Sequence, residues 1–129
     1  MAEHATSASE VLADEEIELL CRALLEWSGP ARCSDQLAVG MGFAGERDLV
    51  ERCVQLRAAL SSGLPMTPSE WARTLLAVEI VFVSDLAGSG FEWRATTGRS
   101  DEQTIAMLRS IQRKLAGTVR PYYGRTPSD

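Results

Sequence analysis

Histidine is almost absent from this sequence of 129 residues, because His4 is the only one. A histidine triad, a histidine metal site and a histidine general base are therefore excluded from the folded body. Any catalysis would have to use carboxylates, cysteine or arginine, and their arrangement predicts no catalytic residue. We predict no bound metal and no cofactor.

Cysteine is also scarce, and the three thiols form no Cys-x-x-Cys pair. An odd number argues against a disulfide framework. Cys21 and Cys53 fall on apolar faces of predicted helices, where a thiol serves as a small hydrophobic side chain. Cys33 lies near a predicted helix junction, but no histidine can activate it. The cysteines therefore predict neither a redox nor a catalytic site.

Long apolar runs are missing as well, and no stretch approaches the roughly 20 residues that cross a bilayer. The first residues, Met1 to His4, are polar and acidic rather than typical of a secretory signal. We therefore expect a cytoplasmic protein without a membrane partner.

The charge that is present is uneven along the chain, with a net value of −5. Residues 1–93 hold 15 acids and 6 bases, whereas residues 94–129 hold 3 acids and 7 bases. The asymmetry is compatible with an ordinary solvated surface. It also fits a basic end that meets an acidic partner, or an acidic face that meets a basic one.

Hydrophobic spacing predicts an all-α fold, an irregular bundle of four main helices and one short helix. Residues 1–9 are predicted to be frayed or disordered, residues 10–117 to form a single helical domain, and residues 118–129 to form an extended tail. Gly117 marks the predicted end of the last helix. The predicted helices cover residues 14–27, 35–41, 46–61, 67–87 and 100–116.

The 67–87 helix has the clearest sequence signal. Thr67 is its predicted cap, with Pro68 at the first helical position and Glu70 placed to complete a capping box. From Leu75 to Val83 the helix is apolar almost all the way round, which predicts a central position in the bundle. If the other helices leave an apolar stripe uncovered, a homodimer would cover it.

The last helix has a similar start at Ser100, with Gln103 three residues later. Ile105 leads the predicted core face of this helix. That face consists of Ile105, Leu108, Ile111 and Leu115.

Glu79 interrupts the apolar helix. A buried carboxylate costs several kcal/mol unless it is paired or protonated. It could emerge toward solvent or form an ion pair with Arg109 or Arg113 of the last helix. The other interpretation is a pocket acid with Asp85, although about one and a half turns separate the two carboxylates.

Residues 88–99 form a predicted loop that presents Trp93, Arg94, Thr97 and Arg99. Tryptophan and arginine are enriched at binding hot spots, so these residues predict a recognition surface. The alternative is a long connection that Phe91 and Trp93 pin to the core.

A short helix with a Gly-Phe turn at residues 37–43 precedes a longer helix anchored by Leu49 and Cys53, and a Thr-Pro stretch follows at residues 66–71. This order, over about a quarter of the chain, resembles the second helix-turn-helix of AraC-type regulators. The resemblance implies a DNA-binding alternative. Acids at the start of the would-be recognition helix would repel phosphates, which makes nucleic acid the less favoured partner. They are Glu46, Asp48 and Glu51.

The hypothesis favoured by these features is a non-catalytic cytosolic helical protein that acts through protein–protein binding, in a regulatory, adaptor or immunity or antitoxin-type role. One alternative is a DNA-binding or transcription-linked regulator with a degenerate helix-turn-helix. Another is a small-ligand pocket or enzyme around Glu79 and Asp85.

Overall fold

The computed structural model describes residues 5–29, 31–84, 86–88 and 93–123. Within them the fold is the predicted all-α bundle, with four long helices and three short ones. None of the described helices is long and apolar enough to cross a membrane. The helices are α1 (Ala8–Val11), α2 (Asp14–Glu26), α3 (Asp35–Gly40), α4 (Glu46–Ser62), α5 (Pro68–Val83), α6 (Trp93–Thr97) and α7 (Asp101–Tyr123).

The predicted helix starts are confirmed by their hydrogen bonds. Thr67 Oγ1 accepts a bond from the Glu70 N–H at 3.2 Å, and Glu70 Oε1 accepts one from the Thr67 N–H at 2.9 Å. Ser100 and Gln103 form the same reciprocal pair at the start of α7. These side chains satisfy backbone N–H groups that have no partner inside the helix, so each helix begins at a defined residue.

Two helices share the centre of the bundle. Helix α5 packs against α2 and α7, as its apolar sequence predicts, and α2 packs in addition against α4. The order of the main contacts is therefore α4, α2, α5, α7. Fully or almost fully buried side chains of the two central helices include Leu19, Leu20, Leu24, Trp71, Leu75, Val78 and Val81.

The N-terminal segment packs on the bundle from Thr6 onward, where the sequence predicts a frayed tail. Thr6 and Met66 exchange backbone hydrogen bonds of 2.9 Å. The Trp71 indole Nε1 donates to the Thr6 carbonyl at 3.1 Å. A buried indole N–H needs an acceptor, and this segment provides it. Residues 1–4, with His4, lie outside the described residues.

Helix α5 ends at Val83, four residues before its predicted end. Ser84 is extended, and its hydroxyl accepts bonds from the backbone N–H groups two and three residues later, at 3.3 and 2.9 Å. A Cβ on Gly88 would overlap the Val81 carbonyl oxygen, so the chain lies tightly against the last turn of α5. The serine turn therefore reverses the chain where the sequence pattern predicts more helix.

Helix α7 continues to Tyr123, although a stop at Gly117 and an extended tail from residue 118 are predicted. A glycine inside a helix costs only about 1 kcal/mol relative to alanine. Val119 is buried on the same face as Leu115, and its burial offsets that cost. Residues 124–129 lie outside the described part of the chain.

Candidate functional site

The predicted recognition loop contains a buried tryptophan. Trp93 begins α6, is completely buried and packs edge-on against Phe82 with ring centroids 5.1 Å apart. Its Nε1 donates to Thr104 Oγ1 at 2.7 Å. These contacts favour the alternative in which the tryptophan pins the connection to the core, and the contact role of Trp93 stays a prediction. Residues 89–92, with Phe91, are not among the described residues.

The other predicted loop residues lie at the surface. Arg94 is exposed. Thr97 Oγ1 accepts a bond from the Arg99 N–H at 3.2 Å, and Arg99 Nη2 lies 3.2 Å from Glu18 Oε1. Thr97 and Arg99 thus meet in a polar depression of about 570 Å³, where Arg99 already has a carboxylate partner. Their role in binding stays a prediction.

Glu79 lies half-buried between α5 and α7. Its Oε2 accepts a bond from Gln112 Nε2 at 2.6 Å, and Gln112 Oε1 accepts one from Arg109 Nη1 at 3.3 Å. Arg109 therefore reaches the carboxylate through Gln112, whereas a direct ion pair is one of the interpretations that the sequence offers. Arg113, the other predicted partner, is exposed. Asp85 lies outside the described residues.

The Glu79–Gln112 bond separates two cavities along the line where α5 and α7 meet. The cavity toward the start of α7 has a volume of about 260 Å³, and the one toward its end about 280 Å³. The lining residues run in opposite directions along the two helices, so α5 and α7 are antiparallel here. Together the cavities form the α5–α7 groove, whose apolar lining consists of Phe82, Val83, Ile105 and Leu108 on one side of the bond and Leu75, Ala116 and Val119 on the other.

One end of the α5–α7 groove carries exposed hydrophobic side chains. Val83 is 71% exposed and Ile105 is 48% exposed, and both line the first cavity. Leu86, three residues beyond Val83, is 95% exposed. Single exposed hydrophobic residues are ordinary, whereas Val83 and Ile105 lie together at one cavity.

The rim of the α5–α7 groove is basic. Arg109 borders the first cavity and Arg120 the second. Arg113 lies on the same face of α7 because it is four residues from Arg109 and seven from Arg120. All three arginines are exposed, and none takes part in an ion pair among the described residues. Three of the bases in the C-terminal part of the sequence therefore lie along the groove.

A buried carboxylate that forms an ion pair with α7 is that of Glu16 in α2, which is 5% exposed. It accepts bonds from Lys114 Nζ and Ser110 Oγ at 2.6 Å and from the Ala13 N–H at 2.8 Å. Burial by itself raises the pKa of Glu16, but these three bonds outweigh it and hold the pKa below its ordinary value. The bonds of Glu16 to Ser110 and Lys114 attach to α2 the side of α7 that faces away from the groove.

Sequence reasoning missed Ile105 and Gln112 as groove residues. The predicted core face began at Ile105, whereas Thr104 is fully buried and Ile105 is exposed. Thr104 faces inward and accepts the indole bond from Trp93, while Leu108, Ile111 and Leu115 are buried as predicted. A second set of positions, from Thr104 to Val119, fits helical spacing equally well and would have predicted the observed buried face.

A third cavity, of about 460 Å³, lies beside the α2–α3 connection and includes Cys33. Burial, with Glu46 and Asp35 nearby, raises the pKa of the Cys33 thiol, and burial raises the pKa of Cys53 to about 12. Both thiols are therefore protonated and weakly nucleophilic at neutral pH. Within the described ranges, no group of three or more acidic, cysteine or histidine side chains is placed to hold a metal ion.

Helices α3 and α4 correspond to the segment that resembles a helix-turn-helix. The Asp35 carboxylate accepts a bond from the Glu46 N–H at 2.9 Å, which places a second acid beside the start of α4. Glu46 and Glu51 are exposed, and Asp48 is half-buried. This face would repel DNA phosphates, so the geometry adds no support for DNA binding.

No protein-family model, curated protein or solved structure matches the chain. The chemistry of the α5–α7 groove is therefore the basis for a functional assignment.

Proposed function

We propose that this protein is a non-catalytic binding protein that docks a partner protein in the α5–α7 groove. The observation that carries the proposal is the pair of apolar cavities, with exposed Val83 and Ile105 at the opening of the first. A helix laid in such a groove buries side chains in successive cavities. Regulatory, adaptor and immunity or antitoxin-type roles all use contacts of this kind.

Each cavity taken alone is slightly smaller than the usual small-molecule pocket. Pockets for small molecules have volumes of about 300–1,000 Å³, and the two cavities measure about 260 and 280 Å³. Among the described lining residues, Glu79 is the only carboxylate of either cavity, and Gln112 already occupies one of its oxygens. A two-carboxylate active site therefore gains no support.

Two further predictions have direct tests. Light scattering at micromolar concentration tests the homodimer, and a clean monomer rejects it. Binding to random duplex DNA at low salt tests the regulator alternative, and the absence of binding rejects it.

Selection from a displayed library of helical peptides tests the docking function. The wild-type chain and the Val54→Asp variant should enrich the same peptides, because Val54 is an exposed valine on α4, away from the groove. The Val83→Asp/Ile105→Asp variant should lose them, since a charge at the opening resists burial. Both positions are solvent-accessible, so circular dichroism should show an unchanged helix content.

Two results would contradict the docking function. The wild-type chain could enrich no peptides, or the groove variant could enrich the same peptides as the Val54→Asp control.

A further inference from the structure

On the premise that the α5–α7 groove has the proposed docking function, the charges around it indicate the charge of the partner segment that it binds. Arg109 and Arg120 border it on the α7 side, and Arg113 lies between them on the same face of the helix. They are exposed, and no ion pair among the described residues involves them. Arginines near a groove that buries apolar side chains favour an occupant with carboxylates at its edges.

The interior of the groove sets the spacing of the apolar side chains. The two cavities are centred near Leu108 and Ala116 along α7, which corresponds to about 12 Å on a helix. Two residues seven positions apart on a partner helix lie about 10.5 Å apart on one face. Between the cavities the Glu79–Gln112 bond presents a polar ridge. An acid there would face Glu79, so the intervening residue should be small or a hydrogen-bond donor.

We propose that the occupant is an amphipathic helix of a partner protein, with two large apolar residues seven positions apart and acidic residues along its edge. The apolar residues fill the two cavities on either side of the Glu79–Gln112 bond. The acidic residues meet the arginines of α7. Rim charges of this kind mainly set association rate and partner choice, while the buried apolar residues supply most of the affinity.

A second copy of the chain fits the groove less well. A two-fold dimer brings the same surface of both subunits together, so the arginine rows of two α7 helices would face each other. Like charges placed opposite each other oppose association. Helix α2 has acids in its first turn, at Asp14, Glu15 and Glu16, but its apolar face is already buried in the core.

A charge-swap selection tests the acidic helix. The baits are the full-length wild-type chain, Arg109→Glu/Arg113→Glu/Arg120→Glu, and the control Arg47→Glu/Arg52→Glu, which reverses exposed arginines on α4. The probe is a displayed library of helical peptides randomised at the apolar and edge positions. The wild type and the control should enrich peptides with acidic edges, and the α7 variant should select against such peptides. The affinity of the α7 variant for acidic peptides should be at least about tenfold weaker than that of the wild type.

The possible results distinguish a failure of the acidic helix from a failure of the docking function. If groove-dependent peptides appear but carry no acidic excess, or if the α7 variant selects the same charges, the acidic helix is wrong and the docking function stands. If no peptide depends on Val83 and Ile105, both fail. A wild-type dimer that Val83→Asp/Ile105→Asp converts to a monomer would make the second copy the occupant. Duplex DNA binding that only the α7 variant loses would likewise overturn the acidic helix.

Discussion

The indole N–H of each of the three tryptophans donates to an oxygen of another segment. Trp27 donates to the Ala77 carbonyl at 3.1 Å, Trp71 to the Thr6 carbonyl at 3.1 Å and Trp93 to the Thr104 hydroxyl at 2.7 Å. A buried N–H without an acceptor is costly, so each bond restricts how its two segments can be placed. The bond of Trp93 places Thr104 on the inner side of α7, and the next residue, Ile105, lies at the α5–α7 groove.

Replacing the hydroxyl of Thr104 tests this arrangement. Thr104→Val keeps the shape of the side chain but leaves the indole N–H of Trp93 buried without its acceptor. We expect the free energy of unfolding to fall by about 1–3 kcal/mol. Thr104→Ser keeps the hydroxyl and is the control. Urea denaturation of both variants gives the values, and an equal loss for valine and serine would show that the bond contributes little.

The burial of single residues is the property that the sequence predicts least well. The polar or apolar character of Thr104 and Ile105 predicts the opposite of their burial, because the deciding partner, Trp93, is eleven residues away. Glu79 and Glu16 show the same limit. Both are acids on helices, and only the neighbouring side chains make one a half-buried acceptor and the other a buried ion-pair partner.

Among the helices, starts are better predicted than ends. A start depends on residues three positions apart, as in the Thr67–Glu70 and Ser100–Gln103 pairs, and is visible in the sequence. The ends of α5 and α7 depend on packing with residues further along the chain. The predicted end of α5 missed the serine turn, and the predicted end of α7 missed the burial of Val119.

The continuation of α7 past Gly117 predicts a stabilising substitution. Gly117 is exposed within the helix, and a Cβ there would meet nothing within 4 Å. Gly117→Ala should therefore raise the free energy of unfolding by about 0.5–1 kcal/mol, since alanine has less freedom to lose on folding. Chemical denaturation measures the change. A helix that ended at Gly117 would instead be unaffected or destabilised by the substitution.

The bridge between α2 and α7 predicts a pH dependence. Because the pKa of Glu16 is lower in the folded protein than its ordinary value of 4.5, its contribution is complete above that value and is lost as the pH falls through the folded pKa. Glu16→Gln should cost about 1–2 kcal/mol near neutral pH, and this difference should shrink in acid.

Glu15→Gln, at an exposed neighbouring acid, is the control for the pH series. Unfolding curves recorded from pH 7 to acid pH compare the three proteins. A difference between wild type and Glu16→Gln that persists unchanged in acid would show that the carboxylate charge is not its source.

At the scale of the whole molecule, the all-α class and the central apolar helix could be predicted because they depend on periodicity that every long helix repeats. The groove could not be predicted, since it arises where two helices distant in sequence fail to cover Val83 and Ile105 completely. The excess of bases toward the end of the chain was visible in the sequence, but the position of Arg109, Arg113 and Arg120 along the groove was not.

Docking of a partner protein and binding of an acidic helix are both proposed for the α5–α7 groove. The most direct measurement is the affinity of a fluorescently labelled helical peptide, with two leucines seven positions apart and glutamates along its edge. Fluorescence anisotropy should show that Ile105→Asp weakens binding at least about tenfold relative to wild type. Val54→Asp should leave the affinity unchanged. Equal affinities for Ile105→Asp and Val54→Asp would contradict docking in the groove, whereas no binding of this peptide to the wild-type chain would contradict only the acidic helix.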